Sequence, residues 1–259
     1  MLGQDVTFFT AIGNDQNGQR VEDECSRINL DISHALIVDD VPTSTYVYLC
    51  GPDGEMELAI NDMRICNYLT PEYFEAKLEI INNSDLLIMD TNLNEESIAF
   101  LTEKVNAPIF ADLVSTTKAI KLKPYLSRIN TIKPNKIEAE ILTGIKITDT
   151  ASLKKATQCL LDMGVKNVYI SLAEDGIFTV SEEGDFAVRA ISTNIVNVTG
   201  AGDAQVAALA YAYLLGKKPE EAAMYANAAA SIALESEKTV SDLMSIGLLE
   251  DKIQLLRKY

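Results

Sequence analysis

Histidine is almost missing from this chain: His34 is the only one in 259 residues. That excludes a His2Cys2 structural zinc site and the paired-histidine motif of zinc proteases. Cysteine is scarce as well. Cys25, Cys50, Cys66 and Cys159 contain no C-x-x-C pair, which points to reduced thiols in a cytoplasmic protein rather than a disulfide framework. Positive charge is short, with 22 Lys+Arg against 38 Asp+Glu and a net charge of -16. A nucleic-acid partner needs clustered Lys and Arg to displace counterions, so DNA and RNA are not expected, nor is an anionic membrane surface. Small anions stay open, because a helix N-terminus binds them without net basic charge. Long apolar runs are missing too. Residues 204–215 lie in one of the longest stretches without a charge, none of which exceeds 13 residues, well below the ~20 residues of a membrane span.

What remains is the profile of a folded α/β protein, 47% hydrophobic and 23% charged. No repeat or Pro/Gly/Ser-rich linker divides it. The early part reads as strands at residues 6–12, 35–38, 45–50 and 55–60, with Gly51-Pro52-Asp53-Gly54 as a hairpin turn. Helix and strand then alternate. Thr70-Pro71-Glu72 starts a helix, and helices are expected over 95–104, 116–126, 201–216, 219–235 and 246–257. Strands are expected at 86–89, 108–111, 131–132 and 168–172, and a hairpin through Glu183-Gly184-Asp185. Such alternation implies a mostly parallel sheet covered on both faces, with ligands beyond the carboxyl ends of the strands.

Two strand-to-helix segments carry most of the chemistry. Asn197-Val198-Thr199-Gly200-Ala201-Gly202-Asp203 leads into an Ala-rich helix. Small residues let backbone N–H groups approach an anion closely. Asp203 would repel a bound phosphate, unless it takes a proton from an attacking hydroxyl; an ordinary helix-stabilising Asp is the alternative. Lys133-Pro134-Asn135-Lys136-Ile137-Glu138 puts Asn135 and Glu138 on one helix face. An amide and an acid suit hydrated magnesium, and equally a capping box. Ser171-Leu172-Ala173-Glu174-Asp175-Gly176 and Gly13-Asn14-Asp15…Gly18 read by themselves as ordinary turns.

Taken together and in this order, these segments resemble the ribokinase-like (PfkB) carbohydrate kinases. Gly200 to Asp203 is similar to the family's C-terminal signature, Lys133 to Glu140 to its N-x-x-E magnesium motif, and Gly13-Asn14-Asp15 with Gly18 to its G-x-D-x-x-G turn. Within the family the pattern is most similar to the branch that phosphorylates pseudouridine on its 5′-hydroxyl. The segments that carry this are Gly54-Glu55-Met56, Ala59-Ile60-Asn61-Asp62-Met63, Leu69-Thr70-Pro71-Glu72-Tyr73 and residues 194–203. The resemblance implies a three-layer α/β/α sandwich over residues 1–259 with a β-lid at about 34–62, which also serves dimerisation. It implies ATP and Mg2+ as cofactors, a possible K+, and a small nucleoside or sugar as substrate.

Roles follow by position. Asp203 would be the base, and Gly200, Ala201 and Gly202 the anion hole. Asn135, Glu138 and Asp112 would serve the metal, with Asn135 also beside ATP. Ser171, Ala173 and Gly176 would lie along ATP, and Asn227 near its adenine. Asn197 and Thr199 would belong to the monovalent-cation loop. Departures are Asn197 where Asp is usual and Ala173-Glu174 in the ATP loop, Ala173 being tolerated where φ is negative. Family members also carry an opening strand, a sugar-binding Asp and a Gly-Gly-Asn helix start ahead of the segment matching Leu2 to Val6. The expectation is therefore complete phosphate machinery and a partial sugar pocket. The alternative is a catalytically inactive homologue that binds nucleotide or dimerises.

Overall fold

The computed structural model describes residues 1–50, 56–181 and 184–257. In chain order the elements are β1 (Ala11–Gly13), α1 (Gln16–Arg27), β2 (Leu36–Val38), β3 (Thr45–Cys50), β4 (Met56–Asp62), α2 (Pro71–Glu75), α3 (Leu78–Asn82), β5 (Leu87–Asp90), α4 (Glu95–Lys104) and β6 (Ile109–Asp112). They continue with α5 (Thr116–Ala119), β7 (Thr131–Ile132), α6 (Lys136–Thr143), α7 (Thr150–Asp162), β8 (Asn167–Ser171), β9 (Ile177–Ser181), β10 (Gly184–Val188), α8 (Ala201–Leu214), α9 (Pro219–Leu234) and α10 (Ile246–Leu256). The chain forms two compact units, one of residues 3–78 and 92–101 and the other of 1–2, 79–91 and 102–259.

In the smaller unit β1 and β2 pair in parallel, from Ala11↔Leu36 to Gly13↔Val38, joined by α1. Asp15 fastens this crossover. Its carboxylate accepts from Gly18 N at 2.7 Å, capping α1, and from Thr43 N at 2.9 Å and Thr43 Oγ1 at 2.7 Å. These bonds hold the Asp15 carboxyl below its ordinary pKa, Gly18 first. Gly18 is required because a Cβ there would run into Gly13 O. The strand expected over residues 6–12 shrinks to β1. Thr7 makes only an isolated bridge to Asp31, and Val6 and Phe8 stay exposed, so no neighbouring strand completes a ladder there. β3 and β4 form the expected antiparallel hairpin, Thr45↔Asp62 to Leu49↔Leu58; its expected turn, Gly51 to Gly54, lies outside the described residues.

The larger unit holds a six-stranded sheet in the order β10-β9-β8-β7-β6-β5. β5 through β8 are parallel, and β9 and β10 antiparallel. The second hairpin is therefore present, with Glu183 of its turn outside the described residues. Side chains alternate between faces at period two. Phe110, Tyr169 and Ile177 join the core of α8, α9 and α10. Their neighbours Ile109, Val168, Ile170 and Phe178 are buried as well, and α6 and α7 pack on β8. Both faces are covered, which makes this a three-layer α/β/α sandwich. Alanines 222, 223, 226, 228 and 229 of α9 are all buried; small side chains let α8 and α9 lie close together. The helix expected over 116–126 is cut short: α5 ends at Ala119 and a 3-10 segment runs from Ile120 to Arg128 around Pro124, because proline removes an α-helical donor. Among the described residues no helix is long and apolar enough to cross a membrane.

Candidate active site

Parallel strands end on one edge of a sheet, and here that edge is polar. β5 ends at Asp90 and β6 at Asp112, which are register partners. Lys133 follows β7, and β8 ends at Ser171. This is the carboxyl edge where doubly covered sheets bind ligands.

Asn135 and Glu138 make a reciprocal capping box at the start of α6. Glu138 N donates to Asn135 Oδ1 and Asn135 N to Glu138 Oε2, both at 2.9 Å. One oxygen of each side chain is thus already engaged. Glu138 is buried at 7% exposure. Burial pushes its pKa up, Asn135 N–H and Lys133 pull it down, and Asp112 pushes it up again. Ser171 is brought alongside: it bridges Asn135, and its N–H donates to Pro134 O at 2.9 Å. Asp112 Oδ1 accepts from Val114 N at 2.7 Å.

After β8 the chain turns sharply. Gly176 has φ 90°, and a Cβ there would overlap Val188 O, so only glycine fits. Ala173 has φ 52°. The negative φ expected for it is therefore corrected: the 3-10 turn Ala173–Asp175 places Ala173 in the left-handed region. Asn227 is buried at 3% exposure. Its Nδ2 donates to Val188 O at 2.8 Å and Arg189 O at 3.0 Å, fastening the end of β10 to α9.

α8 begins at Gly200, whose φ of 89° sets the entry angle of the helix. A Cβ on Gly200 would collide with Thr239 O. The loop before it is pinned by Asn197, whose Oδ1 accepts from Thr199 N at 2.9 Å and whose Nδ2 donates to Glu237 O at 3.2 Å. Among the described residues no side chain caps α8, which leaves its first-turn N–H groups open to a ligand. Asp203 lies in that turn and stays exposed. Partial desolvation raises its pKa, Asp112 and Asp90 add to the rise, and Lys133 opposes it. One structural region thus gathers Asn135, Glu138, Asp112 and Asp203. Asp90 was not singled out from sequence, and Lys133 was read only as part of the N-x-x-E segment, with no role of its own. The signal for Asp90 was available: two apolar strands, Leu87-Ile88-Met89 and Ile109-Phe110-Ala111, each end in Asp.

The model of the pfkB family carbohydrate kinases matches residues 1–245. The chain belongs to the PfkB carbohydrate kinase family. Pseudouridine kinase of Escherichia coli is 34% identical over 248 residues, covering 95% of this PfkB chain and 79% of that relative. A solved carbohydrate kinase from Agrobacterium tumefaciens is 26% identical with a TM-score of 0.83, covering 98% of this chain and 82% of its own. The ribokinase of Arabidopsis thaliana complexed with ribose and ATP shares the fold, with a TM-score of 0.80 and 22% identity over 98% of this chain and 82% of that one. As a PfkB kinase the protein is an enzyme acting on a sugar or nucleoside.

Proposed function

We propose that this PfkB kinase transfers the γ-phosphoryl group of ATP to the 5′-hydroxyl of pseudouridine. The observation that carries the reading is Asp203 in the first turn of an uncapped helix, beside Gly200, Ala201 and Gly202. Free N–H groups at that helix end suit the charge on a phosphoryl group in transit. Asp203 takes the proton of the acceptor hydroxyl as its oxygen attacks phosphorus. A base has to work ionised, and Lys133 favours that form against Asp90 and Asp112. The likeness to a pseudouridine kinase favours the nucleoside, and the ribokinase solved with ATP favours the donor.

Ser171, Ala173 and Gly176 lie along ATP in this reading. Asn227 acts there by holding the backbone after β10 rather than by touching the base. Asn135, Glu138 and Asp112 supply oxygen donors that fit Mg2+. Among the described residues no three acidic, Cys or His groups converge as a metal cage, so the ion would keep most of its water, as magnesium does beside phosphates. Its contribution would be to neutralise phosphate charge. Asn197 and Thr199 are proposed for a K+ loop. Residues 34–62 are proposed as the β-lid and as a dimer surface. Val47, Leu49, Leu58 and Ile60 lie on one face of the hairpin and are all more than half exposed, and two strands with an uncovered apolar face need a cover. A cytoplasmic enzyme fits the free thiols.

Phosphorus NMR of ATP and Mg2+ incubated with pseudouridine, uridine or ribose tests this. The expected product is a 5′-phosphomonoester, formed fastest from pseudouridine. A faster reaction with another acceptor moves the substrate. ATP binding with no phosphomonoester from any of them contradicts the reading and favours a nucleotide-binding homologue.

A further inference from the structure

Beyond its electrostatic effect on Asp203, Lys133 touches no reacting group in the reading above, yet its position is tightly determined. It follows Ile132, which is fully buried, and precedes buried Pro134. Pro134 O is held by Ser171 N at 2.9 Å. The backbone around Lys133 is thus fixed between β7 and β8, and the side chain extends toward α8. A Cβ built on Gly202 would lie 3.8 Å from Lys133 Nζ. No carboxylate of a described residue comes within ion-pair distance of this half-buried ammonium.

The ammonium lowers the pKa of Asp203 and Glu138, and without a direct ion pair it keeps donors for an anion at the helix start. A cation beside a helix N-terminus meets the positive end of the dipole. Among the described residues no side chain caps this helix, and the ammonium lies beside its first turn at Gly202. Asp203 in the same turn would repel phosphate. The ammonium and the N–H groups together offset that repulsion, while Asp203 keeps its lone pair for the proton.

We propose that Lys133 is a further catalytic residue, whose ammonium contacts the phosphoryl group as it passes from ATP to the acceptor; this rests on the reading of the α8 N-terminus as the transfer site. In the step, the acceptor oxygen forms a bond to the γ-phosphorus and its proton moves to Asp203. The bond between the γ-phosphorus and the bridging oxygen breaks, and ADP leaves with that electron pair. Lys133 keeps its three protons throughout and binds oxygen charge that is greatest midway.

The test compares Lys133→Met, Lys133→Arg and Asp203→Asn with the parent. Turnover is measured on the best acceptor of pseudouridine, uridine and ribose. Calorimetry gives the affinity for Mg2+–ADP with and without aluminium fluoride, a mimic of the transferring phosphoryl group, so the test stands even where a variant turns over too slowly to follow. Lys133→Met is expected to lower kcat about 100-fold with a much smaller change in the KM for ATP. It should remove most of the tightening that aluminium fluoride gives, and Lys133→Arg should recover part of both. A merely structural lysine would not alter that tightening selectively. Lys133→Met within threefold of the parent in kcat and tightening, with Asp203→Asn inactive, overturns the proposal alone. If Asp203→Asn is also as active as the parent, the α8 reading itself fails and the proposal with it.

Discussion

Ala173 carries φ 52° in the turn that the reading places along ATP. The left-handed region costs an L-residue roughly 1–2 kcal/mol, and part of that gain is returned as unfolded-chain entropy when glycine is installed. Ala173→Gly is expected to stabilise the chain by about 1 kcal/mol, read as a higher urea midpoint; a lower midpoint would show that the alanine methyl matters more than its backbone. Glu138 offers a second test. Burial raises its pKa above the ordinary glutamate value, so the folded chain holds that proton more tightly than the unfolded one. Its protonated form supports the fold below that value, and this support is lost as pH rises through the raised pKa. Glu138→Gln can keep the reciprocal cap but cannot ionise. In EDTA its thermal midpoint should fall less than the parent's between pH 4.5 and 7; parallel curves would contradict the burial argument.

At the scale of elements, the strand-to-helix joints hold the site and were the most legible from sequence. Asn135 with Glu138 three residues later announced both a cap and a metal pair, and the geometry shows the cap in full. Gly200 and Gly176 sit where only glycine fits. Gly200→Ala would force a Cβ onto Thr239 O at φ 89°, and should cost about 2 kcal/mol and loosen the start of α8. A calorimetric scan checks the loss, and a variant as stable as the parent would show that the 236–240 loop yields easily. Other features were not legible. α7 escaped notice, although Asp149 and Ser152 form its capping box, because its apolar positions Leu153, Ala156 and Leu160 are spread among polar residues. Residues 6–12 looked like a strand by composition, but a ladder needs a partner that composition does not reveal. Lys133 stood in the N-x-x-E segment without a role, because its neighbour Gly202 is far away in sequence.

For the whole molecule, the resemblance to PfkB kinases anticipated the layered sheet and the family, both of which the fold and the comparisons bear out. What sequence could not supply was which groups the carboxyl edge collects. Asp90, Asp112, Lys133 and Asp203 come together only through strand order. The exposed apolar face of the β3–β4 hairpin predicts self-association. Leu49→Lys with Ile60→Lys should shift a dimer to monomer in sedimentation; an unchanged sedimentation coefficient would remove this face as the dimer surface. The central claim is that Asp203 at the α8 N-terminus accepts the acceptor's proton during phosphoryl transfer. The direct measurement is the steady-state rate of ADP release with ATP and pseudouridine, parent against Asp203→Asn. The account predicts a fall in kcat of about 100-fold or more with ATP binding retained. A variant that turns over as fast as the parent would contradict it.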